Sequence, residues 1–208
     1  MEDILELYQQ PYNRLRPLVC LDEGTKQLIS ETRIPLAMRM GMPLLYDYEY
    51  ERHGTANLFM LFAPFEAWRH VKVTDHRTKI DYAHCLKDLA DIHFPEAEII
   101  QLVQDNLNTH KPASLYEAFE PAEARRILER FEFHYTPKHG SWLNMAEIEL
   151  NVLSSQCLDR RIQSKDFLAS EVAHWEYQRN QLDTTVRWRF TTEHARIKLR
   201  KLYPSIHP

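Results

Sequence analysis

Pro137-Lys138-His139-Gly140-Ser141-Trp142-Leu143-Asn144-Met145-Ala146-Glu147-Ile148-Glu149-Leu150 is the stretch around which the rest of the chain is read. A short loop with Lys138, His139 and a glycine runs into a segment of helical pattern carrying two carboxylates, Glu147 and Glu149. A carboxylate on an otherwise apolar helical turn is costly to bury unless something positive meets it. That partner is a lysine, a solvated surface, or a metal ion completed by acids elsewhere. At about 100° per residue, Leu143, Ala146, Leu150, Leu153 and Cys157 form one apolar stripe. Glu147 and Glu149 flank it on opposite sides at similar angles, so periodicity alone leaves a draw.

The other acids of interest follow apolar runs. Leu18-Val19-Cys20-Leu21 fits a buried strand, closed by Asp22-Glu23-Gly24. Glu98 to Gln104 reads as another and runs into Asp105. Open α/β sheets place ligand-binding groups at the carboxyl ends of such strands. For Asp22 alone, the plainer reading is a turn-forming residue before Gly24.

Around these runs, residues 1–10 read as a short amphipathic helix ended by Pro11. Thr25 to Leu45, with Pro35 and Pro43, reads as loop with uncertain strand content, and Tyr46 to Arg52 as a half-exposed arm. Thr55–Phe62 and Trp68–Thr74 are expected as antiparallel strands joined by a short turn. In the second, Trp68, His70, Lys72 and Thr74 alternate with Arg69, Val71 and Val73. Lys79–Phe94 is expected as a helix. Two short helices begin near Pro112 and Pro121, and Phe131–Tyr135 is a further strand. Helices then run to about Arg160, from Lys165 to about Arg179, and from Thr192 onward. The class is α/β, a mixed sheet flanked by helices. The expected division is a lead-in over 1–16, a core over 17–162 and a basic helical extension over 163–208.

Composition bounds the chemistry. The 208 residues suit one good-sized domain, and 44% hydrophobic with 27% charged residues is ordinary for a globular chain. A net charge of −4 weighs mildly against nucleic-acid binding without excluding it, because basic patches are local. Cys20, Cys85 and Cys157 are odd in number and widely spaced, the usage of reduced cytosolic thiols. The acidic start is unlike a signal peptide, and no apolar run approaches about 20 residues, so no membrane span is expected. The eleven histidines form no HExxH-like pair, which disfavours zinc. Between Arg187 and Lys201, Arg187, Arg189, Arg196, Lys198, Arg200 and Lys201 stand against Glu193 alone. They make either a solvated helix face or a phosphate-contacting tail.

Strand order allows Asp22 and Asp105 to lie on adjacent strands with the helix of Glu147 over their ends. Three hard oxygen ligands converging on one point suit Mg2+. Two such ions about 3.5–4 Å apart stabilise the attacking and leaving oxygens of a phosphoryl displacement.

These residues also carry a resemblance. Val19-Cys20-Leu21-Asp22-Glu23, Asp105-Asn106-Leu107-Asn108-Thr109-His110 and His139-Gly140-Ser141-Trp142-Leu143-Asn144-Met145-Ala146-Glu147 resemble the three catalytic blocks of bacterial insertion-sequence transposases of the IS-six-thirty family, relatives of the mariner elements. The resemblance runs from about Arg16 to Tyr203. It implies a ribonuclease H-like core with a five-stranded mixed sheet, and a DDE triad of Asp22, Asp105 and Glu147 holding two Mg2+ ions, with Mn2+ able to substitute. Its Leu-Asn-x-x-Glu block selects Glu147 over Glu149, which becomes a salt-bridged or solvated neighbour. The chain departs from the family in two ways. Residues 106 through 146, 41 in all, separate Asp105 from Glu147, more than is usual among mariner relatives. The helix-turn-helix region that recognises element ends is also not visible.

The implied function is metal-dependent DNA cleavage at an element's terminal inverted repeats, followed by strand transfer into target DNA at a TA step. The implied assembly is a homodimer on DNA at the bacterial nucleoid in the cytoplasm. His110, Lys138, His139 and Trp142 are candidate DNA contacts beside the basic tail, each with a plainer reading as loop hydrogen bond, exposed charge or core aromatic. The alternative from another class is a catalytically silent remnant that binds DNA, or dimerises with full-length transposase and regulates it. A nuclease acting on RNA–DNA hybrids would share the metal site.

Overall fold

Five strands form one sheet in the order β3-β2-β1-β4-β5. In the computed structural model the described residues are 1–43, 45, 47–138, 140–186 and 188–203. β1 (Leu18–Glu31) pairs antiparallel with β2 (Tyr50–Ala63), and β2 with β3 (Trp68–Thr74); β4 (Ile100–Gln104) and β5 (Phe131–Tyr135) add on parallel to β1. This is the mixed α/β sheet expected from the sequence. Leu18 to Leu21 is apolar on every residue because both faces of β1 are covered there.

The helices are, in chain order, α1 (Glu2–Leu7), α2 (Lys79–Asp88), α3 (Ser114–Ala118), α4 (Pro121–Leu128), α5 (Met145–Leu153), α6 (Lys165–Gln181) and α7 (Thr192–Lys198). One face of the sheet, with Val19, Leu21, Phe59, Leu61 and Leu102, packs against Tyr82 and Leu86 of α2 and Ile127 of α4. The other, with Cys20, Met60, Phe62 and Val71, packs against Leu153 of α5, Leu168, Val172 and Trp175 of α6, and Ala195 of α7. Alternation along β1 therefore sends Asp22 to the α5 face and Glu23 to the α2 face.

The strand containing Asp22 is longer than its sequence suggested. Asp22 and Gly24 lie within β1, not in a closing turn, and the expected loop from Thr25 begins as strand up to Glu31. Gly24 is accommodated in the strand where α5 crosses it: an added Cβ would sit 3.4 Å from Leu150 Cδ2. Beyond Gly24 the β1–β2 ribbon outruns β4, which pairs only with Leu18 to Cys20. Its connection carries bridges between Leu36 and Leu45 and between Arg39 and Met42, and leaves Ile34, Met38 and Met40 exposed. Arg161 fastens the base of this arm through Glu31 and the carbonyls of Asp47 and Glu49. Tyr46, expected in the half-exposed arm, lies outside the described residues.

Candidate active site

The three acids singled out in the sequence reach one end of the sheet from three elements. β1 and β4 run parallel with Cys20 opposite Val103; continuing that register two residues sets Asp22 beside Asp105. Neighbouring strands are about 4.8 Å apart. Asn144 brings the third. Its side-chain oxygen accepts the Ala146 N–H as the N-cap of α5 (3.2 Å), and its amide nitrogen donates to the Leu21 carbonyl (2.8 Å), one residue before Asp22. One buried side chain thus starts the helix and ties that start to β1. Glu147 sits in the first turn, where a carboxylate also benefits from the helix dipole.

The electrostatics of the three groups are coupled. Burial pushes the Asp22 carboxyl up to about 6, and the Asp105 and Glu147 carboxylates add to the rise. The Glu23 N–H, donating to Asp22 Oδ1 at 2.8 Å, opposes it. Glu147 Oε2 is buried with no hydrogen-bond partner among the described residues. The carboxylates lie within one another's field, yet among the described residues no three His, Cys, Asp or Glu side chains converge into a ready-made metal cage. All three are hard oxygen donors, and a buried carboxylate oxygen without a donor is what a divalent cation would satisfy. The residues fit such an ion.

Glu149, two residues along α5, has a different partner. It is 1% exposed, accepts a 2.8 Å hydrogen bond from Arg179 Nε, and lies 3.0 Å from the Nε of fully buried Arg69. That second contact is an ion pair without an aligned N–H. Arg69 directs its remaining donors to Asn180 Oδ1 and the carbonyls of Arg179 and Thr184. Glu149 is a core ion pair on the α6 side.

His110, a candidate DNA contact in the sequence, is turned inward. Its side chain is buried, and both ring nitrogens donate to carboxylates: Nδ1 to Asp105 Oδ1 at 2.5 Å and Nε2 to Glu23 Oε1 at 2.9 Å. Burial pulls its pKa down, but the hydrogen bonds to Asp105 and Glu23 prevail and push it up to about 9. Sequence reasoning assigned no role to Glu23, although alternation places it on the face opposite Asp22.

An open cleft of about 760 Å³ adjoins Asp105, lined by Asn106, Leu107, Tyr135, Pro137, Lys138 and Ser141. Lys138 is exposed at its rim. Trp142 is 40% exposed and stacks on Trp188 with ring centroids 6.2 Å apart. Gly140 is required by its neighbour, since an added Cβ would meet Pro137 Cγ at 2.6 Å. Arg189, Arg196, Lys198 and Arg200 are exposed, and Arg196 also forms a double hydrogen bond with Glu2. His139 and Arg187 lie outside the described residues.

The profile of the family described as DDE superfamily endonuclease matches residues 17–169. No curated protein matches the sequence. Among solved structures, the Mos1 mariner paired end complex with Mn is similar with a TM-score of 0.58 and 15% identity, over 88% of this chain and 55% of that one. The Mos1 Strand Transfer Complex gives 0.57 and 15%, over 85% and 51%. The Mos1 paired end complex with Mg gives 0.55 and 16%, over 85% and 53%. At these identities the likeness is one of fold, and the chain spans little more than half the length of those proteins.

Proposed function

The chain belongs to the DDE superfamily endonuclease family, whose profile spans its core, and on that premise we propose that it is the catalytic domain of an insertion-sequence transposase of the IS-six-thirty type. It cuts DNA at the element's terminal inverted repeats and transfers the resulting 3′-hydroxyl to target DNA at a TA step. The observation that carries this reading is the Asn144 staple. It brings Glu147 over the strand of Asp22, whose parallel neighbour runs out just before Asp105.

Asp22, Asp105 and Glu147 would hold two divalent ions, Mg2+ or Mn2+, which supply Lewis-acid stabilisation of the attacking and departing oxygens of an in-line displacement. The chain's own contribution is positioning, the larger part of phosphoryl-transfer catalysis. Asn144 fixes the start of α5 and with it Glu147. The cleft beside Asp105 admits a strand, with Lys138 at its rim to meet backbone phosphate. Trp142 and Lys138 line one small pocket, and the exposed Arg189, Lys198 and Arg200 are further groups that would meet phosphate. The similar Mos1 structures are paired end and strand transfer complexes, which supports DNA ends as the partner; action as a homodimer on DNA at the nucleoid is part of the same proposal.

The test is Mg2+- or Mn2+-dependent nicking of DNA bearing the inverted repeats that flank the gene, comparing the wild type with Asp105→Asn. Nicking by the wild type and loss to background in the variant are expected. Undiminished nicking by Asp105→Asn would remove the role.

A further inference from the structure

Asp105 lies just past the end of β4, at the mouth of a loop, with a side chain 35% exposed. A carboxylate there would rotate freely unless something held it. We infer that Glu23 and His110 form a brace that reaches from the α2 face of the sheet and fixes the Asp105 carboxylate in its metal-binding orientation. The inference rests on the proposed role of Asp105 as a ligand, and makes His110 a positioning residue.

The geometry is that of a built device. His110 Nδ1 donates to Asp105 Oδ1 and Nε2 to Glu23 Oε1, so the ring spans the two carboxylates. The Leu107 N–H also donates to Asp105 Oδ1, at 3.4 Å. Both bonds end on Oδ1, leaving Oδ2 as the oxygen available to a cation.

The ring itself has little freedom. Its side chain is 1% exposed, and the Tyr82 ring packs against it with centroids 4.8 Å apart. Gln104 Nε2 and the Tyr135 hydroxyl donate to the His110 carbonyl, at 3.2 and 3.3 Å. Ser114 Oγ donates to the Thr109 carbonyl at 2.7 Å. Glu23 is 5% exposed, with Arg77 Nη1 3.8 Å from its second oxygen. Every part of the brace except Asp105 is therefore immobilised by packing.

Glu23 belongs to the brace because it holds the far side of the ring: with Nε2 bonded to Glu23 Oε1 and Nδ1 to Asp105 Oδ1, the imidazole is fixed at both ends, and the aim of Asp105 is fixed with it. Groups that hydrogen-bond a metal ligand from behind set its aim, and losing one typically costs about 10–100-fold in metal affinity.

The test is Mn2+ binding to the DNA-free full chain, followed by the electron paramagnetic resonance signal of free Mn2+ at a temperature where circular dichroism shows each protein folded. His110→Ala is expected to weaken binding by roughly 10–100-fold. His110→Asn, which keeps a donor near the Nδ1 position, is expected to recover most of the loss, and Glu23→Gln to lose several-fold. A folded His110→Ala with wild-type affinity overturns the brace, since a merely structural histidine would lower the melting temperature and leave affinity alone. Should His110→Ala fail to fold, wild-type affinity in Glu23→Gln overturns it instead. Asp105→Asn separates the two levels. If it loses Mn2+ while His110→Ala does not, the brace alone is wrong; if it binds Mn2+ as the wild type does, the ligand role falls and the brace with it.

Discussion

Glu149 is held by Arg69 and Arg179 in a site from which water is excluded, and that pairing decides what its loss should do. Removing one partner of a buried pair strands the other charge and costs about 3–5 kcal/mol. Glu149→Gln is therefore expected to lower the urea midpoint by an amount equivalent to several kcal/mol; an unchanged midpoint would rule out the pair as a stabilising feature. The sequence held half of this answer. Arg69 shares the apolar face of its strand with Val71 and Val73, a place where an arginine needs a buried acid. Its partner is 80 positions away, and no local periodicity names it. A second residue gives a pH effect. Glu66, in the β2–β3 turn, is pushed up to about 7 by burial, and its Oε2 has no partner among the described residues. The unfolded chain releases this proton near pH 4.5, the folded one near 7, so between them the native state binds more protons and stability falls as pH rises. Allowing for partial solvent screening, the loss is about 1–2 kcal/mol. Glu66→Gln should match the wild type at pH 4.5 and exceed it at pH 8 in paired denaturation curves. A difference that does not grow with pH would contradict the assignment.

At the scale of elements, the join between α5 and β1 is what converts scattered acids into a site. Asn144→Ala removes an N-cap, worth about 1 kcal/mol. It also leaves the buried Leu21 carbonyl without its side-chain donor, worth about 1–3 kcal/mol more. The variant is expected to be destabilised by roughly 2–4 kcal/mol and to nick DNA more weakly even where it is fully folded, because Glu147 loses its tether. Wild-type nicking by a folded Asn144→Ala would show that the tether is dispensable. The helices and short strands were readable because both faces of the sheet are covered and the apolar runs are dense. The far half of β1 was not. Past Gly24 the ribbon leaves the sheet, only Leu28 among the residues to Glu31 is buried, and the pattern that marks a strand is gone. Helical angles likewise could not rank Glu147 above Glu149. That choice came from the resemblance of the Leu-Asn-x-x-Glu block, and the Asn144 contacts supply a physical basis for it.

The whole molecule depends on how its sheet ends. β3 is an edge strand, and an open edge invites pairing with other chains. Here α6 covers it with side chains: Asn180 Oδ1 accepts the Arg69 N–H at 3.0 Å while its amide donates to the Arg69 carbonyl at 2.9 Å, and Glu176 Oε2 accepts the Val71 N–H at 2.9 Å. The same helix buries Leu168, Val172 and Trp175 against the sheet, and α7 adds Ala195. Farther along, Trp188 lies between Tyr8 and Trp142, so the C-terminal segment touches both the first helix and the loop leading to Glu147. The described residues from 163 onward thus share their core with the sheet, whatever DNA their exposed basic residues meet. A chain ending at Ile162 would expose the β3 edge and the apolar surface of Val71, Met60 and Phe62 together. It is expected to aggregate on expression, or to remain without a cooperative thermal transition, although every proposed metal ligand is retained. A soluble 1–162 protein that melts cooperatively would show that α6 and α7 are accessory to the fold, and would leave DNA contact as their main role.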